Sequence, residues 1–319
     1  MDVERHETEP AESSAANGRS GLRLPVRRTA AGSAAQPESD PDRSPEVPWR
    51  PWTAPLALLV AFLFAAVGSL IVDIPAALFG VKIKGEKLPP GISLADTFVQ
   101  DAAFVLAAVM VAYWFTGWVR SWQFGLRRPG QGWRTATLRT LLVLAAFLIL
   151  SVAFESAVNA PKEKLLEELG AGEGTAMLVL TALLTCAIAP ICEEFLFRGY
   201  IFSALRNWRG TGVAAVLTGL LFGGVHAGSA PAVDLVPLAI LGVALCLLYR
   251  WTGSLYPGIA VHSLNNSIAF AGLEGWSWQL PVLAVGALAT IAAIDLGLRR
   301  AGIIEGGRLP RAAGLTSSG

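Results

Sequence analysis

A-P-I-C-E-E-F-L-F-R-G-Y, residues 189–200, places three ionisable side chains inside a run that is otherwise apolar enough for a bilayer. Glu194 and Arg198 are four residues apart, so on a helix they share one face. An ionisable group at membrane depth is energetically costly, and it is usually paired, turned inward and functional. We therefore expect Glu193, Glu194 and Arg198 to line the inside of a helical membrane bundle.

The composition of the 319-residue chain is that of a polytopic membrane protein. Hydrophobic residues make up 53% and charged residues only 15%, whereas soluble domains contain about 25% charged residues. The arginines are spread over several loops, so no nucleic-acid-binding segment is indicated. Cys186, Cys192 and Cys246 all fall in apolar runs without C-x-x-C spacing. This placement predicts buried thiols rather than disulfides or a cysteine zinc site.

The chain divides into a polar tail, a membrane domain and a short C-terminal tail. Residues 1–50, which include His6, are rich in Pro, Ser, Ala and charged residues, and this composition predicts disorder. Residues 51–300 form the predicted transmembrane domain, and residues 301–319 follow it. A membrane helix needs about 20 apolar residues. We predict an all-α bundle of eight spans: 53–74, 97–117, 137–158, 175–206, 211–228, 233–251, 254–272 and 277–298.

The basic residues predict the orientation of this bundle. With the N-terminus inside, roughly 20 of the 25 basic residues lie on the inner side and 5 on the outer side. Eight spans return the C-terminus to the inner side as well. We therefore predict an integral protein of the plasma membrane with both termini cytoplasmic. The segment 118–136, which carries tryptophan and arginine, is predicted to be an interfacial loop.

A few further charged residues lie near the predicted span ends. Asp295 precedes Arg299 by four residues, which predicts an ion pair at the inner boundary. Asp73, Asp101 and Glu155 are expected at or near the membrane interfaces, in structural roles.

Polar residues on three spans are predicted to converge. If Gly210 is a turn, Glu193 lies 17 residues before it and His226 lies 16 residues after it. At a rise of 1.5 Å per residue, both then lie roughly 25 Å from the turn. From a second turn at Gly253, His262 and Asn266 follow on one face of the next helix.

This set of side chains suits the hydrolysis of an acyl bond such as a peptide bond. A carboxylate beside imidazoles can deprotonate water. Histidine and asparagine can donate hydrogen bonds to an oxyanion, and Arg198 can hold Glu194 ionised. Glu193, His226 and His262 could equally ligate Zn²⁺, which would make the protein a metalloprotease. The spacing does not decide between these two readings, although the H-E-x-x-H pattern is absent.

Each of these residues also has a structural interpretation. A buried Glu–Arg pair can serve packing alone, and Asn266 can join two helices by a hydrogen bond. Phe222 can be a packing residue, and Pro190 can kink its helix. For the whole set, the alternative function is a non-catalytic transporter, or a scaffold that confers resistance or immunity by binding. Ion flux without peptide hydrolysis would favour that alternative.

Three motifs resemble those of one family, the CAAX prenyl protease and bacteriocin-processing (CPBP, or Abi) family. E-E-F-L-F-R at 193–198 resembles its E-E-x-x-x-R motif. F-G-G-V-H at 222–226 is similar to F-x-x-x-H, and H-S-L-N-N at 262–266 is similar to H-x-x-x-N. The resemblance covers roughly residues 175–270, with each motif on its own predicted span.

The resemblance implies a CAAX-protease-like bundle of eight helices that acts as an intramembrane endopeptidase. Its substrate would be a membrane-associated, lipidated or transmembrane protein or peptide. By the family pattern, Glu193 and His226 would activate water, His262 and Asn266 would stabilise the oxyanion, and Glu194 and Arg198 would organise the site. Members have been called both metalloproteases and glutamate proteases, so the resemblance leaves metal dependence open.

Overall fold

The protein is a bundle of helices. The computed structural model describes residues 47–81, 88–158 and 168–305, and within these ranges no β-strand forms. Two π-helical turns, Leu184–Ile188 and Phe195–Phe202, flank the short helix α5, and a 3₁₀ turn covers Ser121–Phe124. The α-helices are α1 (Thr53–Leu78), α2 (Pro90–Thr116), α3 (Trp133–Ala157), α4 (Thr175–Leu183), α5 (Ala189–Glu194), α6 (Ser203–Val225), α7 (Leu235–Thr252), α8 (Tyr256–Leu273) and α9 (Gln279–Arg300).

Each of the eight predicted spans is helical over most of its length. Six helical stretches in the described ranges are long and apolar enough to cross a membrane. One of them runs for 51 residues, Thr175–Val225, and the backbone breaks within it at Arg209 and Gly210, where Gly210 has a φ of 76°. This break lies at the predicted turn and separates two of the predicted spans. α8 is not among the six, because it carries a row of His, Ser and Asn side chains.

Small residues pack the first two helices, and large apolar residues face outward. The buried positions of α1 include Ala54, Ala57, Ala61 and Ala65, at spacings of three or four residues. Small residues at this spacing let membrane helices approach closely. Large residues of the same helix, such as Ile71, are exposed. This distribution is expected of a bundle whose surroundings are lipid, and it confirms the predicted all-α membrane fold.

The segment 118–136 is packed more deeply than an interfacial loop. Phe124 is 1% exposed, and its ring stacks on Phe195 with centroids 4.3 Å apart. Leu255 N–H donates to the Gly125 carbonyl (2.9 Å), and Arg127 Nε donates to the Gly253 carbonyl (2.7 Å). These two hydrogen bonds therefore hold the loop against the α7–α8 turn and provide partners for polar backbone groups of that turn.

The last residues of the predicted tail are also packed. Val47 and Trp49 are buried, and the Trp49 ring lies 4.5 Å from that of Tyr200. Asn207 Nδ2 donates to the carbonyls of Val47 and Trp49, each at 2.9 Å. The predicted disorder of residues 1–46 lies outside the described residues, as do residues 306–319 of the C-terminal tail.

Candidate active site

Two carbonyls just before the glutamates receive their hydrogen bonds from α8. Pro190 has no N–H, so the carbonyl one turn earlier loses its helical donor. Ser263 Oγ donates to the Cys186 carbonyl (2.6 Å), and Asn266 Nδ2 donates to the Thr185 carbonyl (2.9 Å). Neighbouring polar side chains commonly compensate prolines in membrane helices in this way. α8 is thereby held against the segment that leads into Glu193.

Glu194 and Arg198 form an ion pair inside the bundle. Arg198 Nη1 donates to Glu194 Oε1 at 2.7 Å, and both side chains are 0% exposed. Arg198 Nη2 also donates to the Gly242 carbonyl of α7 (3.1 Å). Its guanidinium lies over the Phe222 ring, 4.3 Å from the centroid. These contacts link three helices and give a buried charge the partners that it requires.

His262 lies between the two glutamates. Its Nδ1 is 3.2 Å from Glu194 Oε1, and its Nε2 is 3.8 Å from Glu193 Oε2. The close approach of α8 depends on Gly258, because a Cβ there would lie 2.9 Å from Glu194 Oε2. Asn266, one turn beyond His262, is half-buried and bonded to the Thr185 carbonyl. The structure therefore brings Glu193, Glu194 and His262 to one place.

His226 follows the last residue of α6, and its ring packs on the Phe222 ring. Its Nδ1 is 2.7 Å from the Phe222 carbonyl, which fixes that nitrogen as the N–H donor and leaves the lone pair on Nε2. The Phe222 ring lies 5.0 Å from the His226 ring and 5.6 Å from the His262 ring. Within the described residues His226 forms no ion pair with either glutamate.

A comparison with family models gives one match. Residues 175–268 match the model described as type II CAAX prenyl endopeptidase Rce1-like. This region of the chain is similar to that family. The match confirms the resemblance that the three motifs indicated, and it supports a membrane protease of the CAAX type. No curated protein and no solved structure matched the chain.

Asp101 adds a third carboxyl group from outside the Rce1-like region. The sequence predicted an interfacial position, but α2 begins at Pro90, seven residues before the predicted span. Asp101 therefore lies well inside the helix and is 1% exposed. Its helix, α2, packs against α5, the helix that ends with Glu193 and Glu194. Neither Asp101 Oδ2 nor Glu193 Oε2 has a hydrogen-bond partner among the described residues. In the sequence, the only sign of this buried carboxyl group is that a single aspartate stands within an apolar run.

The candidate zinc ligands do not form a metal site. In the ranges that the structure covers, no three His, Cys, Asp or Glu side chains are arranged to hold a metal ion. Nδ1 of His262 faces Glu194, and Nδ1 of His226 faces a backbone carbonyl. Only Glu193 and the Nε2 atom of His262 face each other, at 3.8 Å. The metalloprotease reading of Glu193, His226 and His262 is therefore unsupported.

Proposed function

We propose that this Rce1-like protein is an intramembrane endopeptidase that hydrolyses a peptide bond of a membrane-associated protein or peptide. Water activated by Glu193 would be the nucleophile. The supporting observation is the position of His262 between Glu193 and Glu194, while the buried Arg198 neutralises only Glu194.

The two adjacent glutamates differ in a way that suits separate roles. Glu194 is fully buried, and its Oε1 is bound by both Arg198 and His262, which holds the carboxylate in place. The Glu193 side chain is 13% exposed, although its Oε2 atom is buried and receives no hydrogen bond from a described residue. A carboxylate with a free lone pair and some access can accept a proton from water. Glu193 is accordingly the base, and Glu194 orients His262.

The remaining polar groups complete a hydrolytic cycle. Glu193 accepts a proton as the water oxygen bonds to the peptide carbon, and the Nε2 lone pair of His226 orients that water. The developing oxyanion accepts hydrogen bonds from the second amide hydrogen of Asn266 and from the Nε2–H of a doubly protonated His262, whose Nδ1–H faces Glu194. The C–N bond then breaks, and the proton held by Glu193 passes to the leaving amine.

The membrane arrangement follows the charge distribution. The helices identify an integral membrane protein, with the bilayer and a protein or peptide substrate as its partners. We place it in the plasma membrane with cytoplasmic termini, because roughly 20 of 25 basic residues then lie inside.

The proposal is tested with protein reconstituted in liposomes and with cell membranes. Glu193→Gln should lower the cleavage of a quenched, lipid-anchored reporter peptide by about 10³-fold, because general-base catalysis supplies about 10²–10⁴. Since the native substrate is unidentified, new protein termini in membranes expressing wild type and Glu193→Gln are compared as well. Glu155→Gln, an exposed glutamate of α3, is the matched control.

Two outcomes would overturn the assignment. One is wild-type cleavage by a folded Glu193→Gln protein. The other is coupled ion flux without hydrolysis of any peptide, which would support the transporter alternative. Because the zinc candidates are not arranged as ligands, a chelator should leave the rate within about twofold of the untreated rate.

A further inference from the structure

A cavity lies among α3, α8 and α9, and its volume is about 820 Å³. Ligand pockets commonly span about 300–1,000 Å³, so the space is large enough for a sizeable ligand. One wall is hydrocarbon, formed by Ile259 and Ala260 of α8 and by Leu288, Ile291 and Ala292 of α9. None of the six proposed catalytic and positioning residues lines it.

The mouth of this cavity is cationic. Arg299 Nε donates to Asp295 Oδ2 (2.7 Å), and Arg299 Nη2 donates to the Tyr256 hydroxyl (2.6 Å). Arg128 also lines the mouth and is exposed, and it has no hydrogen bond or ion pair to any residue that the structure describes. Since Asp295 offsets Arg299, the mouth carries one net positive charge, on Arg128.

The cavity mouth has the features of a membrane interface. Trp133, 52% exposed, lines it beside Tyr256 with ring centroids 6.1 Å apart. Tryptophan and tyrosine gather where lipid headgroups begin. Arg134 lies next to Trp133 in sequence and is exposed. The hydrocarbon wall thus continues from a polar, cationic mouth into the apolar part of the bundle.

We propose that this cavity binds an anionic phospholipid, with its phosphate against Arg128 and Arg299 and an acyl chain along the α8–α9 wall. A free phosphate would leave the apolar wall without a partner. A zwitterionic headgroup would bring its own cation toward the unpaired positive charge of Arg128. Basic pockets between membrane helices bind anionic headgroups by this combination of charge and groove.

The lipid site would adjoin the candidate active site through α8. Ile259 and Ala260 precede His262 by three and two residues, and Gly258 contacts Glu194. A ligand seated between α8 and α9 therefore packs on the helix that carries His262. Lipid binding itself does not depend on the proposed protease activity.

The test measures lipid binding by the purified full-length protein. Phosphatidylglycerol, phosphatidylcholine and inorganic phosphate are each titrated in detergent, and bound lipid is counted by native mass spectrometry. Wild type should bind phosphatidylglycerol at least tenfold more tightly than phosphatidylcholine. Arg128→Gln should weaken phosphatidylglycerol binding about tenfold, as expected for the loss of one charged hydrogen bond. Arg300→Gln, an exposed arginine that does not line the cavity, should leave binding unchanged.

A second pair of variants tests the hydrocarbon wall. Ala292→Phe should fill the groove and remove the tight lipid, whereas Ala293→Phe, next to it but outside the lining, should not. Equal binding of both lipids would overturn the proposal, and so would equal effects of the paired variants. Competition by inorganic phosphate as strong as by phosphatidylglycerol would also overturn it, because the site would then hold a soluble anion.

Discussion

Replacing Arg198 by methionine should cost far more stability than the same change in a partly exposed ion pair of equal geometry. The Glu194–Arg198 and Asp295–Arg299 pairs both have i,i+4 spacing and an N–O distance of 2.7 Å. The first pair is 0% exposed, whereas the side chains of the second are 27% and 25% exposed. Burial is thus the main difference between them.

The size of each stability loss depends on which groups lose their partner when the arginine is replaced. Arg198→Met strands the buried Glu194 carboxylate, and breaking a buried pair in this way costs about 3–5 kcal/mol. In Glu194→Gln/Arg198→Met no charge is stranded. The remaining loss is the hydrogen bond to the Gly242 carbonyl and the contact with the Phe222 ring, together about 2 kcal/mol. Arg299→Met should cost about 1 kcal/mol or less for its ion pair.

The assay is reversible unfolding in mixed micelles with increasing SDS, applied to the two single arginine variants and the double variant. The expected order of stability places Arg198→Met lowest and the double variant clearly above it. The reasoning is refuted if Arg198→Met loses no more stability than Arg299→Met. It is also refuted if the second substitution, Glu194→Gln, restores nothing.

Two further substitutions test the close contacts of the site. Gly258→Ala should lower stability by about 1–3 kcal/mol through overpacking and also slow cleavage, because its methyl group would meet a Glu194 carboxylate that Arg198 and His262 hold. Gly272→Ala, in the same helix with open space around it, should be neutral or stabilising, and equal losses in the two unfolding curves would contradict the packing argument. Asp101→Asn should lower the cleavage rate, because it removes the carboxyl group that adjoins Glu193, and it should change stability by no more than about 1 kcal/mol, because Oδ2 has no hydrogen bond to lose. A wild-type cleavage rate would show that the Asp101 carboxyl does not act on Glu193.

The local features of the sequence predicted much of the bundle. Long, mainly apolar runs predicted a helix at each of the eight positions, because the hydropathy and length of a run are local properties; all but α8 are also apolar enough to cross a membrane. The break at Gly210 and the end of α7 at Gly253, both with positive φ, appear as interruptions of those runs. The Glu194–Arg198 pair was predictable because i,i+4 neighbours meet on any helix. The Asp295–Arg299 pair was predictable for the same reason.

Contacts between distant segments were not predictable in the same way. Phe124 and Trp49 looked like parts of a loop and a tail, but both pack against the segment Phe195–Phe202. The depth of Asp101 depended on where α2 begins. Pro90 occupies the first position of α2, where proline is common, but the prediction used hydropathy and placed the start at residue 97. His226 was predicted to lie at the depth of Glu193; in the structure its Nδ1 lies 2.7 Å from the Phe222 carbonyl, and its ring packs on the Phe222 ring.

The amino-acid sequence alone predicted a helical membrane bundle with motifs on three spans that resemble those of the CPBP family. Hydropathy, helical spacing and turn glycines act over a few residues, so they can be read without knowing what the chain folds against. Only the tertiary structure decided that His262 lies between two glutamates, that Asp101 joins them, and that α8 replaces hydrogen bonds near Pro190. Those arrangements depend on how helices distant in sequence pack against one another, and no local pattern encodes that packing.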